Sequence, residues 1–523
     1  MARVTLGRLV RSSGLAGLAQ VVRAASSMVL TPIVLGAIGL EGFGVWALLF
    51  SLSNSINVIG VSFGNAYAKF TADFEARRDF DGLAERVGAG LVLIGGVAAL
   101  GLVGLALASE WLLRMSSVPE AMLPEARTGF LIVCVTVFSM LSIGCVRQIL
   151  AGLQRTDLSS VGQIATSLAY LALGWTLVRR GHGIVGLAVA NLAAELAGIA
   201  LSWVWCRRVC PQLVLSPLRA TRAGLREVVA LGGRFQLVFA LNFLSNEGFK
   251  IALSSLLGPA VLGSYELARR MMRLCQTAAG AIHTPMMPAF AQLHSGGESE
   301  RARHMHNRGA LALFTAALVA IGFVAVFAER TMLVWTADPQ PLAAWTFRAL
   351  AAAYVFKQLS SMATANLRGR GEFRLEIGSM VFSLVARLGL IVPLYAWLDY
   401  AGFVWSEAIA HVATALVLLW PYAGREGIAL GRFFWEAAAR PTLLLALPLA
   451  AAWAGAHAWP LPLGDVAPRW QAFFELALWG ALFSAASAGV VWFGLLASDE
   501  RARLGRSLAR RFGRGRRPSA GTA

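Results

Sequence analysis

The sequence contains few charged residues and almost no lysine. Charged side chains make up 14% of the 523 residues, and only three of the 46 basic residues are lysine. Ordinary soluble domains carry about 25% charged residues, whereas 57% of this chain is hydrophobic. This composition excludes an ordinary soluble fold. The net charge of +18 is therefore interpreted by its position along the chain, and no nucleic-acid partner is predicted.

Cysteine is also scarce, and its spacing excludes two classes of site. None of the five cysteines forms a C-x-x-C pair, and all lie in or beside apolar segments. They are Cys134, Cys145, Cys206, Cys210 and Cys275. The pattern predicts buried free thiols and neither a zinc site nor a disulfide framework.

The usual motifs of enzymes are missing. The chain has no P-loop, no G-x-S-x-G and no H-E-x-x-H. The nearest imitations, His304-Met-His306 and Arg368-Gly-Arg-Gly371, are interpreted as solvated turns in cytoplasmic loops. We therefore expect neither an enzyme nor a cofactor, and any transport would draw on an ion gradient, the membrane potential or consumption of the product.

Long apolar segments fill most of the chain. About fourteen of them approach the ~20 residues that cross a bilayer as a helix, which predicts an all-α polytopic membrane protein. They lie near residues 12–35, 42–67, 87–113, 126–150, 158–178, 183–206, 228–254, 261–290, 308–335, 343–367, 374–398, 400–422, 438–459 and 470–497. The loops between them are too short to form a folded domain.

Basic residues are concentrated in alternate loops. One set of loops holds most of the arginines, for example Arg77, Arg78, Arg147 and Arg155, and the C-terminal tail belongs to the same set. Because basic loops stay in the cytoplasm, both termini are predicted to be cytoplasmic in a bacterial plasma (inner) membrane. The basic tail is expected to contact anionic lipid headgroups.

One stretch, residues 38–74, occurs twice. A second copy begins 219 residues later without a gap. The pattern Gly39-x4-Gly44-x-Trp46 returns as Gly258-x4-Gly263-x-Tyr265. Each copy would open a unit of about six spans, so both would enter the membrane in the same direction, as in transporters built from parallel repeats.

The repeat predicts the domain organisation. Two six-helix lobes would be related by a pseudo-twofold axis along the membrane normal, with the substrate path between them. The predicted parts are an N-lobe (1–208), a basic cytoplasmic linker (209–227), a C-lobe (228–424), two further helices (425–498) and a basic cytoplasmic tail (499–523).

The eighth apolar segment carries a stripe of charge. Glu266, Arg270 and Arg273 share one helical face, and Arg269 lies beside them. Glu266 is expected to pair with Arg270 and to leave Arg273 free for a ligand. The matching positions of the first copy include Ser51 and Asn54. We therefore expect Ser51 and Asn54 to face Arg270 and Arg273 across a shared cleft. Snorkelling of the arginines to the interface or to lipid headgroups is the alternative.

Other ionisable residues lie inside apolar segments, where charge is costly unless it faces a cavity or a partner. The further substrate-binding candidates are Arg23, Lys357 and Arg387. The candidates for ion coupling, by proton or sodium, are Glu195, Glu266, Glu407 and His411. Structural ion pairing is the competing interpretation for each of them.

These features resemble a known group of transporters. The Gly-x4-Gly-aromatic hairpin, the polar stripe and the Ala-x-x-x-Ala-Asp exit are similar to those of the Wzx-type oligosaccharide and polysaccharide flippases. So are Leu150-Ala-Gly152-Leu-Gln-Arg155 and its echo, Leu367-Arg-Gly369-Arg-Gly-Glu372. Those flippases belong to the multidrug/oligosaccharidyl-lipid/polysaccharide (MOP) exporter superfamily.

The resemblance implies a function class. It suggests that the chain moves undecaprenyl-pyrophosphate-linked sugar repeat units from the cytoplasmic to the outer leaflet by alternating access of two lobes. The implied pathway is O-antigen, capsule or exopolysaccharide synthesis, with other polysaccharide-assembly proteins as partners. A peptidoglycan lipid-precursor flippase, an ion-coupled multidrug antiporter of the same superfamily, and a membrane polymerase or ligase remain alternatives.

Overall fold

A computed structural model describes residues 6–283, 286–459, 467–498 and 500–502. Within these ranges the regular secondary structure is helical throughout. The helices are α1 (Leu6–Arg77), α2 (Phe80–Met115), α3 (Leu123–Ser142), α4 (Val146–Gly152), α5 (Thr156–Arg179), α6 (Gly183–Val209), α7 (Arg222–Phe243), α8 (Phe249–Leu257), α9 (Pro259–His283), α10 (Met286–Ser295), α11 (Ser299–Val326), α12 (Ala328–Thr336), α13 (Pro341–Gly369), α14 (Arg374–Leu398), α15 (Tyr400–Glu426), α16 (Leu430–Phe434), α17 (Arg440–Ala458) and α18 (Pro468–Val490).

Ten helical segments among the described residues are long and apolar enough to cross a membrane. Together with the composition, they make the chain a multi-pass membrane protein. Helix α9 does not meet that standard, because it carries Glu266 and three arginines. The count of fourteen spans and the arrangement in two lobes stay predictions, and the basic tail beyond residue 502 lies outside the described residues.

The two copies of the glycine pattern have the same backbone conformation. Gly39 interrupts α1 with φ 69° and ψ 178°, and Gly258 separates α8 from α9 with φ 86° and ψ 165°. Positive φ is strained for any residue with a Cβ atom, so glycine is required at both breaks. The helical backbone is therefore interrupted at the equivalent glycine in each copy of the repeat.

The second glycine of each copy lies where α1 meets α9. A methyl group on Gly44 would overlap the carbonyl oxygen of Pro259, and a methyl group on Gly263 would lie 2.5 Å from the carbonyl oxygen of Leu40. The backbones of α1 and α9 are thus in direct contact at this end. We call this contact, formed by residues 40–44 and 259–263, the glycine contact.

Two groups of helices pack against each other along α1 and α9. The first group is α1–α6 and the second is α8–α15, and the largest apolar core runs through both. Hydrogen bonds also join them: Trp335 Nε1 donates to the Met28 carbonyl at 2.9 Å, and Ser254 Oγ donates to the Ser116 carbonyl at 2.9 Å. Where the two groups are not in apolar contact, the polar residues between them line cavities.

The segment predicted as a cytoplasmic linker packs on the first group. Thr221 caps α7 by accepting a hydrogen bond from the Gly224 amide at 3.1 Å. Arg86 of α2 pairs with Glu227 at 3.1 Å, and Arg219 pairs with Asp81 at 2.6 Å. The linker is therefore tied to α2 by ion pairs at its middle, through Arg219, and at its last residue, Glu227.

Two further predictions from the sequence are decided by the structure. All five cysteines are buried and unpaired, which confirms the interpretation of their spacing. The interpretation of His304-Met-His306 as a solvated turn is wrong, because these residues lie within α11. His306 is buried between the rings of Tyr422 and Phe433, at centroid distances of 5.0 and 5.4 Å. The polar composition around His306 resembles that of a loop and does not indicate the apolar surroundings of its side chain.

Candidate functional site

Three adjoining cavities lie beside the α1–α9 contact. The interface cavity, of about 240 Å³, lies between α1, α5, α8 and α9. The α1–α9 cavity, of about 720 Å³, is bordered by residues 17–28 and 270–277. The polar cavity, of about 620 Å³, lies among α1, α3, α4, α5 and α6. Arg270 borders the first two, Arg23 the last two, and Tyr170 the interface and polar cavities.

The charged stripe of α9 forms a cluster at the interface cavity. The Glu266 carboxylate lies 2.6 Å from Arg273, 3.5 Å from Arg270 and 3.5 Å from Lys250 of α8. We call these four residues the Glu266 cluster. The expectation that Arg273 would be left free is wrong, because a side chain seven residues on reaches back to Glu266. Its side chain nevertheless stays 50% exposed.

Helix α1 contributes the opposite wall. Arg270 Nη1 donates to Thr31 Oγ1 at 2.9 Å, and its guanidinium lies 4.7 Å from the centroid of the Phe43 ring. Asn54 borders the interface cavity together with Arg270. Asn54 of α1 and Arg270 of α9, one residue from each predicted stripe, therefore border the same cavity.

Ser51 and Arg273 lie at the edges of this arrangement. Ser51 Oγ donates to Glu247 at 2.7 Å, and Glu247 accepts a charge-assisted bond from Lys250 at 3.1 Å. A wide helical turn at Leu244–Gly248 carries Glu247. Arg273 borders the α1–α9 cavity, on the side away from the glycine contact. Ser51 thus contacts Glu247, which borders the interface cavity, and Arg273 borders the neighbouring α1–α9 cavity.

Positive charge exceeds negative charge around these two cavities. Among the residues that border them, the basic side chains are Arg23, Lys250, Arg270 and Arg273, and the acidic ones are Glu247 and Glu266. The basic side chains therefore outnumber the carboxylates by two, because Glu266 is shared by three cations. In a low-dielectric setting such an excess attracts anions strongly.

The other face of α9 enters a second cluster, which is closed. Glu407 of α15 is completely buried. It accepts hydrogen bonds from Arg269 at 2.5 Å and from the Tyr265 and Tyr354 hydroxyls at 2.5 and 2.8 Å. Arg387 of α14 lies 2.9 Å from it, and His411 lies 3.5 Å from it. We call these six residues the Glu407 cluster.

The Glu407 cluster encloses one carboxylate between two arginines, whose other contacts are aromatic rings and polar groups of the protein. Arg387 also donates to the Ser245 carbonyl and stacks 3.6 Å from the centroid of the Phe249 ring. Arg269 lies between the rings of Tyr265 and Tyr354. Arg269 and Arg387, two of the substrate-binding candidates, thus pair with the buried Glu407. Lys357 lies 5.8 Å from the centroid of the Tyr354 ring, next to this cluster.

Arg23 and Glu195, the remaining candidates, meet at the polar cavity. Arg23 donates to Gln163 Oε1 at 2.8 Å. Glu195 of α6 pairs with Arg147 of α4 at 2.8 Å, and Arg147 also donates to Thr166 at 3.4 Å. Gly198 leaves room for this pair, because a methyl group there would lie 2.6 Å from Arg147 Nη2.

Several residues of the site were missed from the sequence. Arg147 was counted with the loop arginines, although it lies in α4 beside Glu195. The tyrosines at Glu407 lie 142 and 53 residues away from it in the chain. A signal existed for Arg147, since an unpaired Glu195 inside an apolar segment needs a cation. The repeated glycine pattern includes Tyr265, but no local pattern links Tyr265 or Tyr354 to Glu407.

Solved structures with a similar fold include transporters and a lipid flippase. The lipid II flippase MurJ, in an inward closed conformation, matches 91% of this chain and 98% of its own with a TM-score of 0.71 and 9% identity. An inward-facing multidrug resistance MATE transporter matches 78% of this chain and 98% of its own, with a TM-score of 0.68 and 15% identity.

A MOP superfamily transporter from Pyrococcus furiosus, described as having a binding pocket of reverse polarity, also matches. The match covers 80% of this chain and 95% of that one, with a TM-score of 0.52 and 17% identity. At such identities the likeness establishes the MOP fold and leaves the substrate open. No curated protein sequence matches the chain.

The sequence itself identifies the family. Residues 9–294, more than half of the chain, match the polysaccharide biosynthesis protein family. The matched range includes both copies of the glycine pattern, the Glu266 cluster and the polar cavity. The chain therefore belongs to the polysaccharide biosynthesis protein family.

Proposed function

We propose that this protein is a flippase for a lipid-linked oligosaccharide. It would carry a sugar repeat unit attached to undecaprenyl pyrophosphate from the cytoplasmic to the outer leaflet of the bacterial inner membrane. Both termini would lie in the cytoplasm, and the two helical groups would alternate in opening to either side. The membership of the polysaccharide biosynthesis family supports the glycan as cargo.

The observation that carries the proposal is the excess of positive charge at the α1–α9 contact. A pyrophosphate that links a lipid to a sugar keeps one ionised oxygen on each phosphorus, and so carries two negative charges. The interface and α1–α9 cavities hold two basic side chains more than they hold carboxylates. The charges of ligand and site therefore match.

The residue types also suit a pyrophosphate. Arg270 and Arg273 present planar donor forks that can bind two oxygens at once, and a guanidinium stays charged at every physiological pH. Arg273 is half exposed towards the α1–α9 cavity, so a ligand can compete with Glu266 for it. Arg23 and Lys250 complete the cationic lining.

The glycine contact suggests how access would be controlled. It holds α1 and α9 together at one end, whereas the α1–α9 cavity separates them towards residues 17 and 277. In the predicted topology the glycine contact lies on the outer side. The described conformation would then receive substrate from the cytoplasm.

The alternative functions differ in whether their substrates suit a positively charged site. A peptidoglycan precursor also carries a pyrophosphate, so a flippase for that lipid would share the cationic site. A multidrug antiporter for cations would meet repulsion from Arg270 and Arg273. Glu195 and Glu266 border cavities and remain our candidates for binding a coupling proton or sodium ion.

The test is to remove charge from the site. In a strain lacking its own copy of the gene, the double variant Arg270→Gln/Arg273→Gln should export little lipid-linked glycan. Each charge-assisted contact that is lost costs roughly 1.5–3 kcal/mol, which is about a ten- to hundredfold loss of affinity. The double lysine variant should recover part of the export, because it restores charge without the fork.

The control is a helical arginine that borders none of the three cavities. Arg432 is 80% exposed and pairs with Glu436 one turn on, so Arg432→Gln should leave export unchanged. Membrane abundance of each variant is checked by immunoblot. Normal export from the double variant at normal abundance would contradict the proposal.

A further inference from the structure

The polar cavity has a different chemical character from the two cationic cavities. Its lining includes Gln148, Ser159, Gln163, Ser167 and Asn191, which are uncharged donors and acceptors. Among the described residues that border it, the charged side chains are Arg23, Arg147 and Glu195, and the last two form an ion pair at 2.8 Å. The cavity therefore offers many hydrogen bonds and little net charge.

Several of these polar groups have unused hydrogen-bonding capacity. Ser167 and Thr166 use their hydroxyls to donate to backbone carbonyls of their own helix, at 2.8 and 3.0 Å. Within the part of the chain that the structure describes, the side chains of Gln148 and Asn191 have no hydrogen-bond partner. Amide groups of this kind can donate and accept at once, which matches the alternating hydroxyl and ether oxygens of a sugar.

The ion pair is built into the wall. Arg147 approaches α6 at Gly198, where any side chain would collide with its guanidinium. The pair leaves carboxylate and guanidinium edges for a neutral polar ligand, and its charges compensate each other. An anionic ligand gains little here compared with the Glu266 cluster.

The polar cavity also adjoins the proposed pyrophosphate site. Arg23 borders both the α1–α9 cavity and the polar cavity, and the Tyr170 ring lies between the polar and interface cavities. At about 620 Å³ the cavity has the size of sites that enclose small ligands. A sugar next to the pyrophosphate would thus enter it directly.

We infer that the polar cavity binds the sugar residues of the lipid-linked substrate, with Gln148 and Asn191 as hydrogen-bonding residues and the Arg147–Glu195 pair as a neutral polar wall. This inference rests on the proposed function, since the pyrophosphate at Arg270 and Arg273 would hold the substrate in register. It assigns charge recognition and sugar recognition to neighbouring but separate cavities.

The experiment measures binding to purified protein in lipid nanodiscs. Four labelled probes are compared: polyprenyl diphosphate bearing an oligosaccharide, the same lipid bearing one sugar, polyprenyl diphosphate without sugar, and the free oligosaccharide. The wild type should bind both sugar-bearing lipids more tightly than the sugar-free lipid. The free oligosaccharide should bind weakly, because it lacks the diphosphate.

The variants separate the two cavities. Gln148→Leu/Asn191→Leu should weaken binding of the oligosaccharide-bearing lipid about tenfold more than that of the sugar-free lipid, since two neutral hydrogen bonds are lost. Arg270→Gln should weaken all three lipids alike. Gln471→Leu on α18, outside the cavities, is the matched control and should change nothing.

Two results would overturn the inference. Equal binding of sugar-bearing and sugar-free lipids by the wild type would mean that no sugar site exists, while the flippase proposal would stand. Equal weakening of all lipids by Gln148→Leu/Asn191→Leu would give those residues a structural role. If the wild type bound none of the diphosphate lipids, the proposed function would fail together with the inference.

Discussion

Helix α9 takes part in two carboxylate clusters, and their difference separates structure from binding. On one face, Glu266 is shared by three cations and borders a cavity. On another face, Arg269 enters the cluster around Glu407, which two tyrosine hydroxyls and a second arginine complete. Both carboxylates are buried, yet only the first has cations with room to exchange partners. In this protein a buried charge is therefore a candidate for binding where a cavity reaches it, as at Glu266, and for a structural role where side chains enclose it, as at Glu407.

The largest expected effect comes from breaking the closed cluster. Glu407→Gln leaves Arg269 and Arg387 buried without a negative partner. Removing one member of a buried ion pair costs about 3–5 kcal/mol, so we expect a lower yield of folded protein and a lower Tm in detergent. Thermal unfolding followed by size-exclusion chromatography measures both.

The matched control is Glu436→Gln. Glu436 pairs with Arg432 at the surface, at 2.7 Å, where an ion pair contributes at most about 1 kcal/mol. Its Tm should stay near that of the wild type. A Glu407→Gln protein that is fully stable but transports without ion dependence would reverse our assignment and make Glu407 the coupling residue.

A smaller and different effect is expected at the open cluster. Glu266→Gln removes the partner of Arg270, Arg273 and Lys250, but Arg273 is half exposed and water can solvate it. We expect a loss of stability of about 1–3 kcal/mol. Binding of a polyprenyl diphosphate should become severalfold tighter, because the site gains positive charge. Isothermal titration against the wild type measures the change, and weaker binding would show that Glu266 positions the arginines.

The smallest effect should come from His411. It lies 3.5 Å from Glu407 and packs edge-on against the Tyr354 ring, at a centroid distance of 4.7 Å. His411→Ala leaves both arginines paired, so we expect a loss of about 1 kcal/mol, close to that of a typical hydrogen bond. The dependence of export on external pH is the informative readout. Loss of that dependence would make His411 part of a proton relay.

Much of the fold could be predicted from the sequence because membrane helices leave a simple signal. Apolar length marks the helices, and the repeated glycine pattern located Gly39 and Gly258, whose positive φ angles explain the requirement for glycine. The stripe on α9 was also visible, since Glu266, Arg270 and Arg273 follow helical spacing. Periodicity is a property of one helix and needs no knowledge of its neighbours.

The partners of these residues could not be predicted in the same way. Arg273 was expected to be free, but its side chain is long enough to reach Glu266 two turns away. Arg269 lies beside this stripe in the sequence, and its side chain contacts Glu407, 138 residues on. Which face of α9 meets a cavity depends on how α13, α14 and α15 pack, and no local pattern contains that information.

The glycine contact has one more consequence, for how the two halves of the chain could diverge. Gly44 approaches Pro259 while Gly263 approaches Leu40, and a shift of 219 residues converts the first pair into the second. Such reciprocal pairing is the mark of an isologous dimer interface. In a true dimer of identical half-length chains, every residue is bound to appear on both sides of the axis, so a charge placed on one side repeats on the other. In a single chain the two halves can differ in sequence. This chain keeps glycine at both positions of the contact, but it has Ser51 on one side at the position where it has Arg270 on the other. The unequal charge of the two sides of the cavity is a property that a pair of identical halves cannot have.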